Sequence, residues 1–301
     1  MAAVLRAPFP WFGGKSRAAP LVWAALGDVS NYVEPFAGSL AVLLARPTTP
    51  RVETVNDLDA YLANFWRAVA AAPEEVARHA DWPVNEADLH ARHAWLVAHH
   101  PTLRALLDSS PDAFDAKVAG WWLWGVSQWI GDGWCGEGRP SRKIPNVDGQ
   151  GNKGVHAAGD PRALMLSLSR RLRRVRVACG DWRRVLASTP LRSNGKTGVV
   201  LDPPYADGAM DYAAGGMGSG ISSEVRAWAI ENGADPALRI VLCGYEGEHA
   251  MPKGWRSEEW TASRGFATSE NENRHRERLW FSPHCLDAAI ARQPSLFGGV
   301  R

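Results

Sequence analysis

Short apolar, β-branched runs recur along the chain, and each ends at glycine, proline or acidic residues. This pattern predicts buried strands, because a strand covered on both faces is apolar throughout and stops where extended structure is broken. The predicted strands lie within residues 32–38, 52–59, 175–182, 197–201 and 238–243, and hairpin strands are predicted within 255–260 and 278–282. The later strands are expected to run antiparallel, which makes the sheet mixed.

Segments with helical periodicity separate these strands. They lie within residues 16–26, 60–72, 74–80, 85–100, 115–130 and 222–232. The glycine turn between the strand near residue 33 and the apolar residues 40–44 predicts the opening half of a nucleotide-binding α/β unit. The pattern therefore predicts an α/β fold with a ligand site at the carboxyl edge of the sheet.

Residues 201–205, Leu-Asp-Pro-Pro-Tyr, begin at the last residue of the predicted buried strand 197–201. Neither proline can donate a backbone hydrogen bond, and each holds the residue before it in an extended conformation. The Asp202 carboxylate and the Pro203 carbonyl are two acceptors, which suits an amino group with two hydrogens, and Tyr205 could stack on a flat base. The alternative is a strand end followed by a Pro-Pro turn, with Tyr205 packed in the core.

Two other turns contribute ligand-binding groups. Gly38 lets the chain pass close to a ligand, and Ser39 is placed to cap the following helix. Asp57 ends the next strand about twenty residues later, where an acid can accept hydrogen bonds from a ribose. Asp59 is the alternative acid, although it could instead cap the helix that begins at residue 60.

The N-terminal stretch, residues 8–16, combines aromatic residues with Gly-Lys-Ser. A phosphate-binding P-loop needs a further glycine where this chain has Phe9 and, at the second Gly-Lys pair, Pro190. The nucleoside-triphosphate interpretation is therefore rejected. Gly13 and Gly14 would let the backbone approach a ligand, and Lys15 at a helix start could hold a carboxylate.

Four motifs, PFPWFGGK, EPFAGS, VNDLD and LDPPY, occur in this order along nearly the whole chain. Together they resemble Dam-like adenine-specific DNA methyltransferases of phage or restriction-modification type, which use S-adenosylmethionine (AdoMet). The chain departs from the usual FxGxG form of the AdoMet loop, since Leu40 stands at the second glycine position. The resemblance implies a Rossmann-like mixed sheet with helices on both faces, plus a mostly helical inserted target-recognition domain.

The resemblance also implies the roles of individual residues. The catalytic residues would be Asp202, Pro203, Pro204 and Tyr205. AdoMet would be bound by Trp11, Gly13, Gly14, Lys15, Glu34, Pro35, Phe36, Ala37, Gly38, Ser39, Asp57, Asp181, Trp182 and Asp202. The catalytic domain would comprise residues 1–72 and 173–290, with the insert at 73–172 and a flexible tail at 291–301.

Basic residues concentrate in and after the insert, although the net charge of the chain is only +2. Such a local concentration is typical of a surface that contacts phosphates, and a solvated helix face is the alternative. The predicted DNA contacts are Arg139, Arg142, Lys143, Lys153, Arg170, Arg171 and Arg174. The tryptophans at 121, 122, 124, 129 and 134 are expected to be mostly core.

The remaining composition narrows the class of protein. The four cysteines and nine histidines have no metal-site or disulfide spacing, and neither a signal peptide nor a membrane span is predicted. We therefore expect a reduced, metal-free, cytoplasmic protein, and the resemblance implies that its substrate is double-stranded DNA. In the tail, Gln293, Leu296 and Phe297 resemble the short motif by which bacterial DNA-processing proteins bind a sliding clamp. Two alternatives to DNA adenine methylation remain. One is a methyltransferase acting on RNA or on the exocyclic amine of cytosine, and the other is a non-catalytic DNA-binding module.

Overall fold

A computed structural model describes residues 5–11, 13–110, 112–129, 134–136, 144–146, 155, 159–205, 218–261 and 277–287. Its centre is a seven-stranded sheet in the order β3-β2-β1-β4-β5-β7-β6. The strands are β1 (Asn31–Glu34), β2 (Val52–Asp57), β3 (Val175–Cys179), β4 (Thr197–Leu201), β5 (Leu238–Tyr245), β6 (Arg256–Glu259) and β7 (Glu277–Phe281).

The first five strands are parallel, and β7 runs antiparallel to both β5 and β6. The sheet is thus mixed and its late strands are antiparallel, as predicted. The strand order reverses between β1 and β4, so the connections that leave the carboxyl ends of these neighbours diverge and open a crevice. In open α/β sheets, ligands bind at such a switch point.

The described helices are α1 (Ala19–Leu26), α2 (Ala41–Leu44), α3 (Ala60–Ala71), α4 (Pro73–Ala80), α5 (Glu86–Ser109), α6 (Ala116–Val126), α7 (Pro161–Leu172), α8 (Ser188–Arg192) and α9 (Gly218–Asn232). A 3₁₀ helix spans Trp182–Leu186. Helix α5 continues beyond the predicted end at residue 100. Pro101 lies inside it, where it removes one N–H donor without ending the helix.

Both faces of the sheet are covered. Val200 and Val241 belong to one apolar core, whereas Val199 and Ile240, which point the opposite way, belong to the other. This alternation follows from the two-residue period of side chains along a strand. The α/β fold predicted from the sequence, with helices on both faces, is therefore confirmed.

Helices of the predicted insert pack onto the sheet domain through α3. Helix α3 contacts β2 and β3 and also packs against α5, α6 and α7, while α4 packs against α6 and α7. Trp122, Trp124, Trp129 and Trp134 are buried, as predicted, and Trp121 is partly buried. The division into a catalytic domain and a separate recognition domain stays a prediction.

Among the helices within the described residues, none combines the length and the apolar character needed to cross a bilayer.

Candidate active site

The carboxyl edge of the sheet brings the predicted motifs together. Strand β1 lies between β2 and β4, so the glycine turn after β1, the acid that ends β2 and the LDPPY segment after β4 share one edge. Register fixes this arrangement, because Val33 of β1 pairs with Thr54 of β2 and with Val199 of β4. The meeting of the motif segments at one edge of the sheet rests on this parallel pairing.

Asp202 lies within hydrogen-bonding distance of two side chains, those of Lys15 and Tyr205. The Lys15 ammonium nitrogen lies 2.8 Å from Oδ1 of Asp202, and the Tyr205 hydroxyl lies 3.2 Å from the same oxygen. Lys15 also donates to the Gly13 carbonyl at 2.7 Å. The Lys15 side chain is 6% exposed and that of Asp202 is 23% exposed, so the pair is shielded but open on the Asp202 side.

Lys15 remains charged although it is buried. Burial alone would lower the pKa of Lys15, but the negative charges of Asp202 and Glu277 raise it above its ordinary value. Its ammonium also lies over the rings of Tyr205 and Trp260, at 5.2 and 5.5 Å from their centroids. The Gly-Lys turn thus places the Lys15 ammonium group against the LDPPY segment.

Glu277 completes this cluster and was missed from the sequence. It is the first residue of β7, it is buried, and its Oε2 accepts a hydrogen bond from the Tyr205 hydroxyl at 2.9 Å. Burial raises the pKa of Glu277 to about 7, and Asp202 acts in the same direction while Lys15 opposes it. The residues around Glu277 are charged, and such a pattern is typical of a polar loop rather than of a buried site. Only the pairing of β7 with β5 brings Glu277 to Tyr205.

Gly38 adopts a φ of 45°, in the left-handed region that favours glycine. Its N–H donates to Oδ2 of Asp57 at 2.9 Å, and the Asp59 N–H donates to Oδ1 of Asp57 at 3.0 Å. Burial raises the pKa of Asp57 to about 6, and the neighbouring charge of Asp59 adds to the shift. Asp57 thus lies against the glycine turn, whereas Asp59 caps α3 by accepting from the N–H groups of Tyr61 and Leu62.

The predicted capping role of Ser39 is wrong. Helix α2 begins one residue later, Leu40 is its N-cap residue, and no side chain caps it. Leu40 has a φ of 55° and is fully buried. A leucine in the left-handed conformation therefore stands where the usual loop has its second glycine, and its apolar packing holds it there.

Glu34 and Asn56 stabilise the turns around the site. The Tyr32 hydroxyl donates to Glu34 Oε2 at 2.9 Å, and burial raises the pKa of Glu34 to about 8. The Asn56 side-chain amide donates to the carbonyls of Pro35 and Gly180 at 3.0 and 2.9 Å. Asn56 was not singled out in the sequence, because an amide that bridges two other turns leaves no local motif.

Asp181 and Trp182 follow β3 at the same edge. Trp182 is buried, and its ring centroid lies 6.0 Å from that of Phe36. The Asp181 carboxylate accepts from the backbone N–H and from the guanidinium of Arg183, at 2.8 and 3.0 Å. The structure therefore brings an aromatic pair and an exposed acid to this end of the sheet.

The basic residues of the predicted DNA surface differ in their environments. Arg170 and Arg174 are exposed at the end of α7 and just after it. Arg171 instead forms a two-point ion pair with the buried carboxylate of Glu53, at 2.6 and 2.9 Å, and also donates to the Leu43 carbonyl. The prediction that Arg171 contacts DNA is corrected accordingly, since its position in the helix turns it inward towards an otherwise costly buried charge.

The other predicted DNA contacts, Arg139, Arg142, Lys143 and Lys153, lie outside the described residues, as do Gln293, Leu296 and Phe297 of the tail. Within the described part of the chain, no cluster of three or more His, Cys, Asp or Glu side chains has the arrangement of a metal site.

The seven-stranded mixed sheet, with its switch point between β1 and β4, is an α/β fold consistent with that of the AdoMet-dependent methyltransferases. Residues 11–93 match the family model of the D12 class N6 adenine-specific DNA methyltransferases. This match confirms the resemblance to Dam-like enzymes and the predicted activity, methyl transfer to DNA adenine. The match includes the Gly-Lys turn, the glycine turn and Asp57. No curated protein sequence matches the chain.

Proposed function

We propose that Asp202, Pro203, Pro204 and Tyr205 bind the 6-amino group and ring of an adenine extruded from duplex DNA, beside a site for AdoMet at the same edge of the sheet. The observation that carries this proposal is the placement of Asp202 next to Lys15, at an edge shared with Gly38 and Asp57. An enzyme that modifies a base inside a duplex must take it out of the stack to reach it.

The residues at the edge fit AdoMet in their chemistry. A carboxylate has about four acceptor positions, and Asp57 uses one on each oxygen for backbone N–H groups, which leaves capacity for ribose hydroxyls. Phe36 and Trp182 offer apolar ring surface for an adenine ring, and Asp181 offers an exposed acceptor for its amino group. Bound there, AdoMet would supply an electrophilic methyl group on a sulfonium.

Lys15 has a further capacity. An ammonium group carries three N–H donors, and two of them point to Asp202 and to the Gly13 carbonyl. The third can hold the carboxylate at the methionine end of the cofactor. Trp11, Gly14, Ala37 and Ser39 would line the same turns, and Glu34 and Pro35 would support them.

The chain's own contribution to the chemistry is orientation. Asp202 is partly exposed, whereas Pro203 is buried on a backbone that two prolines make stiff. The Asp202 carboxylate and the Pro203 carbonyl would accept both hydrogens of the amine and so direct the nitrogen lone pair. Fixed acceptors of this kind accelerate a reaction by positioning and by electrostatic preorganisation.

DNA would contact the exposed side chains of Arg170 and Arg174. The sequence pattern adds Arg139, Arg142, Lys143 and Lys153, which lie outside the described residues, as further phosphate contacts. We further propose that the tail residues Gln293, Leu296 and Phe297 bind a sliding clamp, and a binding measurement with the tail peptide and its F297A variant tests this.

The test of the proposed site is the D202A variant. Transfer of a tritiated methyl group from AdoMet to plasmid DNA should be abolished, while AdoMet binding measured by calorimetry should be largely retained. D112A, which removes an exposed aspartate in the turn between α5 and α6, is the matched control and should behave as wild type. Near-normal turnover by D202A would refute the assignment, and mass spectrometry of the product nucleosides separates adenine from cytosine methylation.

A further inference from the structure

The positive charge of Lys15 neutralises the negative charge of Asp202, so Asp202 does not give the site a net negative charge. Its carboxylate is paired with the buried Lys15 ammonium at 2.8 Å. The two charges cancel at close range, and the low polarity of a buried site makes the pairing strong. A net negative charge at this edge therefore depends on a second carboxylate. The fold places Glu277 there: the Tyr205 hydroxyl lies 2.9 Å from Glu277 and 3.2 Å from Asp202, and it can donate its single hydrogen to one of them at a time.

We infer that ionised Glu277 is a second functional carboxylate of the site: it supplies the negative charge that stabilises the positive charge developing on the target amine, and the Tyr205 hydroxyl holds it in position. This inference rests on the proposed function of Asp202 and deepens it. In the proposed binding mode the base is held by Asp202, Pro203 and Tyr205, so the role of Glu277 is electrostatic.

The chemistry of the transfer explains why a negative charge is needed. The amine nitrogen forms a bond to the methyl carbon while the carbon–sulfur bond breaks, and that electron pair stays on sulfur as a neutral thioether. The nitrogen gains positive charge until one of its protons leaves, first to a site acceptor and then to water. A carboxylate fixed near the nitrogen lowers the energy of this cationic transition state without having to reorganise.

Glu277 has a protonation equilibrium that makes the role measurable. Its pKa is raised to about 7, chiefly by burial, so the ionised fraction changes steeply below neutral pH. The Lys15 charge and the Tyr205 hydrogen bond lower this pKa, while Asp202 and Glu248 raise it. The titratable groups that face Glu277 are Lys15 from the N-terminal turn, Asp202 and Tyr205 after β4, and Cys243 and Glu248 from β5 and its turn.

The decisive experiment compares wild type with E277Q in single-turnover methylation of plasmid DNA across a pH range from about 5.5 to about 9, which brackets the pKa of Glu277. Glutamine keeps an acceptor for the Tyr205 hydroxyl but cannot carry a charge. The wild-type rate should rise about tenfold per pH unit and level off above about pH 7. E277Q should be at least about tenfold slower at about pH 8 and should lack this rise, while AdoMet and DNA affinities stay unchanged.

The Y205F variant distinguishes the effect of the charge of Glu277 from the effect of its hydrogen bond with Tyr205. It removes the hydrogen bond that lowers the pKa of Glu277, so the pH profile should keep its shape and shift to higher pH. E231Q, which neutralises an exposed glutamate on α9, is the control and should match wild type. Glu34 also has a raised pKa, of about 8, and a pH rise that survives in E277Q would assign the effect to another group.

The outcomes distinguish this inference from the proposed function. If wild-type protein transfers no methyl group to DNA, the proposed function fails. If wild type is active and E277Q has the same rate and the same pH profile, the proposed function stands and the role of Glu277 is overturned. The folding of E277Q is verified by its melting temperature at about pH 6, where Glu277 of the wild type is itself largely protonated.

Discussion

Gly38 and Trp11 lie so close together that a side chain at position 38 cannot be accommodated. A Cβ built on Gly38 would stand 2.6 Å from the indole Nε1 of Trp11 and 2.9 Å from its Cδ1. The same glycine has a positive φ and donates its N–H to Asp57. The aromatic N-terminal turn is thus packed directly on the predicted AdoMet loop, and the two motifs form one structural unit.

G38A should therefore destabilise the protein and weaken AdoMet binding together. The left-handed backbone costs an alanine roughly 1–2 kcal/mol, and displacement of the Trp11 ring adds to this. Thermal unfolding and calorimetric titration with AdoMet measure the two effects.

G220A is the matched control for this substitution. Gly220 lies in α9 and its φ is not positive. Outside its own helix backbone, no atom of the described residues lies within 4 Å of the place that a Cβ would occupy. Alanine is about 1 kcal/mol better than glycine within a helix, so this variant should be as stable as wild type or more so. Equal stability of G38A and G220A would contradict the packing described for Trp11.

Glu34 should make stability depend on pH between about 6 and 8. The pKa of Glu34 is about 8 in the folded protein, above its ordinary value of 4.5, because burial disfavours the charged form. Its contribution to stability is thus fully present below pH 4.5 and is lost as the pH rises through about 8. Each pH unit in this window removes up to about 1.4 kcal/mol from the free energy of unfolding.

E34Q should flatten this dependence, since glutamine keeps an acceptor for the Tyr32 hydroxyl without an ionisable group. Urea unfolding at about pH 6, 7 and 8 gives the slope for each variant. Glu277 and Asp57 also have raised pKa values, of about 7 and 6, so part of the slope should remain. A slope that is unchanged in E34Q would show that Glu34 is already ionised at the lowest of these pH values.

Substitutions of Arg171 and of Arg174 should have very different effects on stability, although the two residues are close together in the sequence. R171M removes one of the two cationic partners of buried Glu53 and leaves Arg46, so it should lose about 1.5–3 kcal/mol of stability. R174M changes an exposed side chain and should leave stability within about 0.5 kcal/mol of wild type. Urea unfolding of both variants measures the difference.

For DNA binding, the substitution of Arg174 should have the larger effect and that of Arg171 the smaller. If Arg174 contacts a phosphate, R174M should reduce the dependence of binding on salt by about one counterion. Folded R171M, measured at low temperature, should retain the wild-type salt dependence. Anisotropy titrations with labelled duplex between about 50 and 200 mM salt measure this. A reduced salt dependence in R171M would restore Arg171 to the DNA-contacting surface.

The sequence by itself determined the strands, their order in the chain and the turns that carry ligand-binding groups. Strand β4 occupies the predicted residues, and Asp57 and Asp202 lie at the strand ends where periodicity placed them. These features are local, because apolar runs, prolines and glycines restrict the backbone near themselves whatever the rest of the chain does.

Only the tertiary structure decided which side chains share the site. The pairing of Lys15 with Asp202, the arrival of Glu277 at Tyr205 and the inward turn of Arg171 all depend on strand register and on helix rotation against the sheet. A charged residue has the same local pattern whether it faces water, DNA or a buried carboxylate. Its partner is set by packing between segments distant in sequence, and that packing leaves no mark at the residue itself.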